Sequence, residues 1–260
     1  MPTTAAPDGT TVGYGVDGEG DRPPVVLVGD CGFGAWQWAW QHPVLAGPRP
    51  VVTAEYRGGT RAAPPAEDCD LATLAGDVRA ILDHAGVGRP HVVGLGLGGL
   101  VALSLALDGA VRSLCLLGTG ADGRAVDPSP LFAPLDDRAA LRASLDAALS
   151  PGFRERHPDV VDRIVAWRRD DDPDPVAAAR QAAALDADRS ERLVEVTDPA
   201  LVVHGGADGI WPVAGAERLA EGLPRGEFRR VDGAGHLVGC EAATPVNDAL
   251  VGLLERVEGA

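Results

Sequence analysis

The sequence predicts an α/β protein with a mostly parallel sheet, helices on both faces of that sheet, and a long helical insertion. Three observations predict this class. Short apolar runs alternate with amphipathic stretches, and the residues within each run are apolar without alternating polar residues. One later block of the chain contains only helical patterns. Continuous apolar runs are typical of strands covered on both faces. Alternating strands and helices form parallel sheets.

The predicted elements divide the chain into a core and an insertion. Seven apolar segments are predicted as strands: residues 11–16, 25–28, 51–54, 91–94, 113–117, 200–204 and 228–231. Four core helices are predicted at residues 71–85, 97–107, 213–223 and 245–257, the last with Thr244 as N-cap and Pro245 in its first turn. We therefore expect one globular core, residues 1–121 and 197–260, with a helical cap inserted at residues 122–196.

Within the insertion, three segments are helical in composition and are separated by proline and glycine. They are residues 136–149, 158–169 and 175–188. The charged run at residues 168–174 is expected to be a solvated loop. Its aspartates lack the spacing of a calcium-binding EF-hand, so no metal site is predicted there.

A glycine-rich turn between a strand and a helix is the most informative feature. Residues 91–103 run from an apolar strand, through this turn, into an apolar helix. In the G-x-S-x-G motif, a nucleophilic serine lies on such a strained turn. Here the central position is Gly96, which is followed by Leu97. The turn predicts a nucleophile elbow that has no nucleophile.

The same letters also fit a dinucleotide-binding motif. Gly94, Gly96 and Gly99 match G-x-G-x-x-G between a strand and a helix. However, this turn does not follow the first strand of the chain. The motif also needs an acidic residue close to the end of the next strand to bind a ribose, and Asp122 lies too far beyond that strand. The elbow is therefore the favoured interpretation, and no cofactor is predicted.

Two downstream motifs supply an acid and a base. The apolar run at residues 201–205 leads to Asp208, and the strand near residue 231 leads through a glycine turn to His236. Upstream, residues 24–32 look like a strand followed by an oxyanion loop, and residues 54–60 look like the end of the next strand. The chain from about residue 11 to residue 257 resembles the α/β-hydrolase superfamily, in which elbow, acid and base follow in this order.

The resemblance implies an α/β-hydrolase fold and a role for each motif. His236 is expected to be a general base held by Asp208. Leu97 and Asp30 are expected at the backbone N–H groups that would face an oxyanion. Three departures stand out: Val28-Gly29 replaces the usual His-Gly, Asp30 occupies a backbone-donor position, and Gly96 replaces serine.

Three functions remain open at this point. The chain could be a cofactor-independent enzyme that uses His236, Asp208 and Asp30 for acid-base chemistry on a small organic molecule. It could be a binding protein that has lost the reaction. It could also be a serine esterase in which Gly96 stands for the original serine.

Three further residues are candidates for the pocket, each with a plain packing alternative. Cys31 lies in the oxyanion loop, where a thiol near an imidazole can be activated, although free cysteines are usually buried and inert. Trp36 follows that loop, and Trp211 follows Asp208. The four cysteines lack C-x-x-C spacing, so neither a zinc site nor a redox pair is predicted.

Composition limits the partners. The formal net charge is −15, and all 23 basic residues are arginine. Both adaptation to high salt and GC-rich codon usage explain the missing lysine. Nucleic acid is not an expected partner because no basic patch is present.

No apolar run is long enough for a membrane span, and no targeting segment is recognised, so a soluble cytoplasmic protein acting on a small molecule is expected. The oligomeric state is not predicted.

Overall fold

The computed structural model describes residues 2–259, and their strands form one eight-stranded sheet. The strands are β1 (Thr3–Ala5), β2 (Thr11–Asp17), β3 (Val25–Val28), β4 (Val51–Ala54), β5 (His91–Leu95), β6 (Ser113–Leu117), β7 (Ala200–Gly205) and β8 (Gly226–Val231). Their order across the sheet is β1-β2-β4-β3-β5-β6-β7-β8. Strand β2 pairs antiparallel with β1 and β4, and all other neighbours are parallel. The predicted class, a mostly parallel α/β sheet, is confirmed.

Helices flank this sheet and fill the insertion. They are α1 (His42–Leu45), α2 (Leu71–His84), α3 (Leu97–Leu107), α4 (Arg138–Ala148), α5 (Pro151–Arg156), α6 (Pro158–Asp171), α7 (Pro175–Ala182), α8 (Val213–Gly222), α9 (Val238–Glu241) and α10 (Ala243–Glu258). Short 3₁₀ helices lie at Ala35–Trp38, Ser129–Leu131, Ala183–Leu185 and Ser190–Glu195. Within residues 2–259, no helix has both the length and the apolar character needed to cross a membrane.

The apolar runs identified in the sequence became the central strands. All residues of β3, β5, β6 and β7 are buried. In edge strand β8 partly buried and exposed residues largely alternate, since successive side chains point to opposite faces of the sheet and one face is open to solvent. Strand β1 was not predicted, because its three residues, two of them threonine, carry no apolar pattern.

The start of the last helix differs from the prediction. Helix α10 begins at Ala243, and its N-cap position is Ala242. Thr244 therefore lies inside the helix and is not its N-cap. The physical reason is that α9 runs into α10 with one residue between them, so no extended residue precedes the expected cap.

The glycines of the elbow have separate structural roles. Gly96 has φ +55° and ψ −119°, in the left-handed half of the backbone map that side-chain-bearing residues rarely adopt. Gly98 lies so close to β3 that an added Cβ would overlap the backbone carbonyl of Val28. Because these positions are glycine, α3 can pack closely against the sheet directly after the turn.

The insertion between β6 and β7 contains α4 to α7. Helix α5 was not predicted because it is only six residues long, too short for an apolar pattern to repeat. The expectation of a solvated run at residues 168–174 was wrong in part. Arg168 and Asp172 are buried, with Arg168 Nε 2.6 Å from Asp172 Oδ2. Helix α6 extends to Asp171, which turns this pair, spaced i and i+4, toward the interior.

Candidate active site

The predicted site residues meet at the carboxyl edge of the sheet. Asp30 follows β3, Gly96 follows β5, Asp208 follows β7, and His236 follows β8. Parallel strands place their carboxyl ends at one edge, so residues far apart in sequence converge there. Of these residues, Asp30, Asp208 and His236 form one continuous hydrogen-bonded chain.

His236 lies between two carboxylates. Its Nδ1 is 3.0 Å from Oδ2 of Asp208, and its Nε2 is 2.9 Å from Oδ2 of Asp30. The side chain of His236 is fully buried, and those of both aspartates are buried with it. Each ring nitrogen therefore faces an acceptor, and a doubly protonated ring satisfies both.

The charge state of His236 follows from these neighbours. Burial lowers its pKa, but the charges and hydrogen bonds of Asp208 and Asp30 outweigh that effect and raise the pKa of His236 to about 10. At neutral pH the ring is an imidazolium that donates to both carboxylates. The general base expected here from the sequence remains a prediction; the two hydrogen bonds favour the ring that carries both protons.

Asp208 is held by its own loop as well as by the ring. Its Oδ1 accepts hydrogen bonds from the backbone N–H groups of Ile210 at 2.8 Å and Trp211 at 3.0 Å. Burial raises the pKa of Asp208, but the charge of His236 and its hydrogen bond outweigh burial and hold that pKa below its usual range. Asp208 is therefore the fixed acid that orients the imidazolium.

The second carboxylate, Asp30, fills the place where an oxyanion would bind. Its Oδ1 accepts from the backbone N–H of Leu97 at 2.7 Å and from that of Cys31 at 2.9 Å. Leu97 is the first residue of α3, directly after the elbow. The N–H of Asp30 itself, expected at the oxyanion position, donates instead to Oε1 of Gln37 at 2.8 Å. The two backbone donors at the elbow are therefore Leu97 and Cys31, and both are occupied.

Gly96 leaves room for this carboxylate. A Cβ built on Gly96 would lie closer than 3.0 Å to all three atoms of the Asp30 carboxyl group. Hydrogen bonds to the end of β6 and the loop after it hold the turn in place. The Gly96 N–H donates to the carbonyl of Leu117, and the Gly96 carbonyl accepts from Oγ1 of Thr119. The Asp30 carboxylate thus occupies the position of a serine side chain at the elbow and contacts the same histidine nitrogen.

The predicted pocket residues divide into two groups. Cys31 lies at the site through its backbone, but burial, and then the charge of Asp30, raise the pKa of its thiol, which opposes activation as a thiolate. Trp36 donates its indole N–H to Asp172 Oδ1 at 2.6 Å and so binds the insertion. Trp211 is buried and accepts through its backbone carbonyl from His204 Nε2 at 2.9 Å. The two tryptophans are therefore supporting residues.

The helical insertion closes the site through residues that sequence reasoning missed. Gln181 on α7 accepts from the Gly32 N–H at 3.0 Å and donates to the Arg57 carbonyl at 2.9 Å. Asp172, after α6, accepts from the Gly34 N–H at 2.9 Å. These contacts join residues more than 120 positions apart, so no local sequence pattern could reveal them.

A small cavity lies beside Asp30 under this insertion. Its volume is about 20 Å³, and its lining includes Asp30, Tyr56, Gln37 and Gln181. A space of this size holds about one water molecule. The cavity therefore has room for about one water molecule next to Asp30.

Comparison with known proteins places the chain in a family. The model of the alpha/beta hydrolase family matches residues 20–249. A Variovorax paradoxus protein named "Putative carbamate hydrolase RutD" is 32% identical over 94% of this chain and 96% of its own length.

An acetyltransferase component of the acetoin cleaving system from Pseudomonas putida is 30% identical over 94% of this chain, which spans 66% of that longer protein. The crystal structure of an enol-lactonase from Burkholderia xenovorans LB400 superposes with a TM-score of 0.85 at 27% identity, covering 98% of this chain and all of that one. The chain therefore belongs to the alpha/beta hydrolase family.

Proposed function

We propose that this protein is an enzyme that performs acid-base chemistry on a small, uncharged organic molecule without forming an acyl-enzyme. In this proposal Asp30 accepts a proton, the His236 imidazolium donates one, and Asp208 holds the imidazolium in place. The observation that carries the proposal is the position of Asp30, whose carboxylate lies where a serine hydroxyl would lie and 2.9 Å from the histidine.

The remaining acceptor capacity of Asp30 supports its role as a base. A carboxylate offers about four lone-pair sites. Leu97 and Cys31 occupy two sites on Oδ1, and His236 occupies one on Oδ2. One site on Oδ2 is left for a proton from a substrate or from water. The adjacent imidazolium can then return a proton to a leaving group.

The relatives suggest the class of substrate. Their names describe a carbamate hydrolase and an enol-lactonase, both of which act at an acyl carbon. For this chain we propose a neutral lactone, carbamate or ester. Water, deprotonated by Asp30, is the nucleophile in place of serine. An anionic substrate is disfavoured because the two carboxylates and one imidazolium carry a net negative charge.

A second candidate function is a non-catalytic binding protein. It is favoured by the satisfaction of Asp30, which already occupies both backbone donors at the elbow and the Nε2 of His236. The third possibility, an esterase whose serine was replaced, is not favoured, because the Asp30 carboxylate would overlap a side chain at position 96.

The proposal is tested with a panel of neutral lactones, carbamates and activated aryl esters. Turnover is measured for the unmodified protein, Asp30→Asn, His236→Gln and the control Asp232→Asn, whose carboxylate is exposed on the loop after β8. We expect Asp30→Asn and His236→Gln each to lose about 10²- to 10⁴-fold in kcat. The control should stay within twofold of the unmodified protein.

Intact-mass spectrometry during turnover separates the mechanisms. The proposal expects no covalent acyl adduct at any time point. An adduct, or turnover that survives both site substitutions, contradicts it. Absence of turnover across the panel, together with ligand-induced thermal stabilisation of the unmodified protein, supports the binding function instead.

A further inference from the structure

The hydroxyl group of Tyr56 is buried without a hydrogen-bond partner among the described residues. Tyr56 lies two residues beyond the end of β4 and is 7% exposed. Tyr14, the other tyrosine, has a partner, with its hydroxyl 2.7 Å from Nδ1 of His84. Leaving a buried hydroxyl unpaired is unfavourable, because the group has lost its hydrogen bonds to water. Such a group calls for a specific explanation.

Tyr56 lines the same cavity of about 20 Å³ as Asp30 and Gln181. A bound water needs space for about one water molecule and two to four polar partners. The cavity supplies both. Apart from its bond to the Arg57 carbonyl, the amide nitrogen of Gln181 has a second N–H to donate.

The charge around Tyr56 fixes the direction of its hydrogen bond. Burial raises the pKa of Tyr56 well above its usual value, and the charge of Asp30 raises it further. The hydroxyl therefore stays protonated and is a donor. Asp30 keeps one free acceptor site on Oδ2, but Tyr56 makes no direct hydrogen bond to it. A molecule that accepts from Tyr56 and donates to Asp30 satisfies both groups.

We propose that Tyr56 and Asp30 hold a water molecule in this cavity, and that Tyr56 is the positioning residue for the water that reacts. The catalytic part of this inference rests on the proposed function, whereas the binding part does not. In hydrolysis, an O–H bond of this water breaks and its proton passes to Asp30. The water oxygen bonds to the acyl carbon, the bond to the leaving group breaks, and the leaving group departs with a proton from the His236 imidazolium, which regains a proton from Asp30.

The test compares high-resolution crystal structures of the unmodified protein, Tyr56→Phe and the control Tyr14→Phe. We expect a water 2.6–3.2 Å from both Tyr56 Oη and Asp30 Oδ2 in the unmodified protein and in the control. Tyr56→Phe should lose or displace that water. An empty cavity in the unmodified protein, or Tyr56 donating directly to a protein acceptor, would overturn the inference.

Kinetics with the best substrate of the panel test the positioning role. Tyr56→Phe should lower kcat by about 10- to 100-fold, because a misplaced reactant costs about that much, while KM changes less than twofold. The ¹³Cζ resonance of Tyr56, read in protein labelled at its two tyrosines, should move when Asp30→Asn alters the group that holds the water accepting from Tyr56.

Different results would overturn the inferred water site and the proposed function. A water in the expected place with no turnover of any substrate supports the binding site and removes the enzyme proposal. Turnover that is unchanged in Tyr56→Phe overturns the positioning role and leaves the enzyme proposal standing.

Discussion

A serine placed at position 96 should destabilise the protein and give no esterase activity unless Asp30 is removed at the same time. In Gly96→Ser alone, the new side chain overlaps the carboxyl group of Asp30. One of the two must move, and the hydrogen bonds of Asp30 to Leu97, Cys31 and His236 are then lost or distorted. In Asp30→Gly/Gly96→Ser the overlap is gone, and a serine hydroxyl can approach His236 Nε2.

The expected size of the effect follows from those lost contacts. Removing one partner from a buried ion pair lowers the free energy of unfolding by about 3–5 kcal/mol. For a chain of this length each kcal/mol lowers Tm by about 2–4 °C, so Gly96→Ser should lower Tm by about 6–20 °C. Adding Asp30→Gly removes the overlap, so the two changes should be non-additive by about 1–3 kcal/mol in the free energy of unfolding.

Activity and stability together test this reasoning. Hydrolysis of p-nitrophenyl acetate and thermal unfolding are measured for both single variants and for the double variant. Only the double variant should show a burst of p-nitrophenol and an acyl adduct on residue 96. If Gly96→Ser alone is active and as stable as the unmodified protein, Asp30 does not occupy the serine position and the site geometry given above is wrong.

Three other outcomes are expected. The raised pKa of His236 stabilises the fold fully below the unfolded-state pKa of about 6.5. The free energy of unfolding should therefore fall by a few kcal/mol as pH rises toward about 10, measured by urea denaturation, and Asp30→Asn should weaken that fall. Arg168→Met should cost about 3–5 kcal/mol, whereas Arg169→Met, which removes an exposed pair, should cost less than about 1 kcal/mol; equal effects would contradict the buried ion pair. If the acidic composition reflects adaptation to salt, Tm should rise steeply between millimolar and molar salt, and a flat response would favour codon usage.

Strand and helix positions could be predicted because they depend on local pattern. Helix α3 has the predicted bounds, since an apolar strand, a glycine turn and an apolar run define both of its ends. The order of Gly96, Asp208 and His236 predicted an elbow, an acid and a base. Each of these is an end-of-strand residue, which the chain order of parallel strands places at one edge.

The chemistry of the site could not be predicted from the same patterns. That Asp30 reaches both Leu97 N–H and His236 depends on distances between three strands. The raised pKa of His236 depends on two charges that lie far away in sequence and outweigh the opposing effect of burial. The closing contacts of Gln181 and Asp172 come from the insertion, whose position over the elbow is a tertiary property.

The carboxylate at the elbow also determines which reagents the protein should ignore. A phosphonate or boronate inhibitor of serine hydrolases places an anionic oxygen on the two backbone donors at the elbow. Here those donors already hold Oδ1 of Asp30, and the incoming oxygen would meet a fixed negative charge. Activity-based profiling with such reagents would pass over this protein, although it belongs to the alpha/beta hydrolase family.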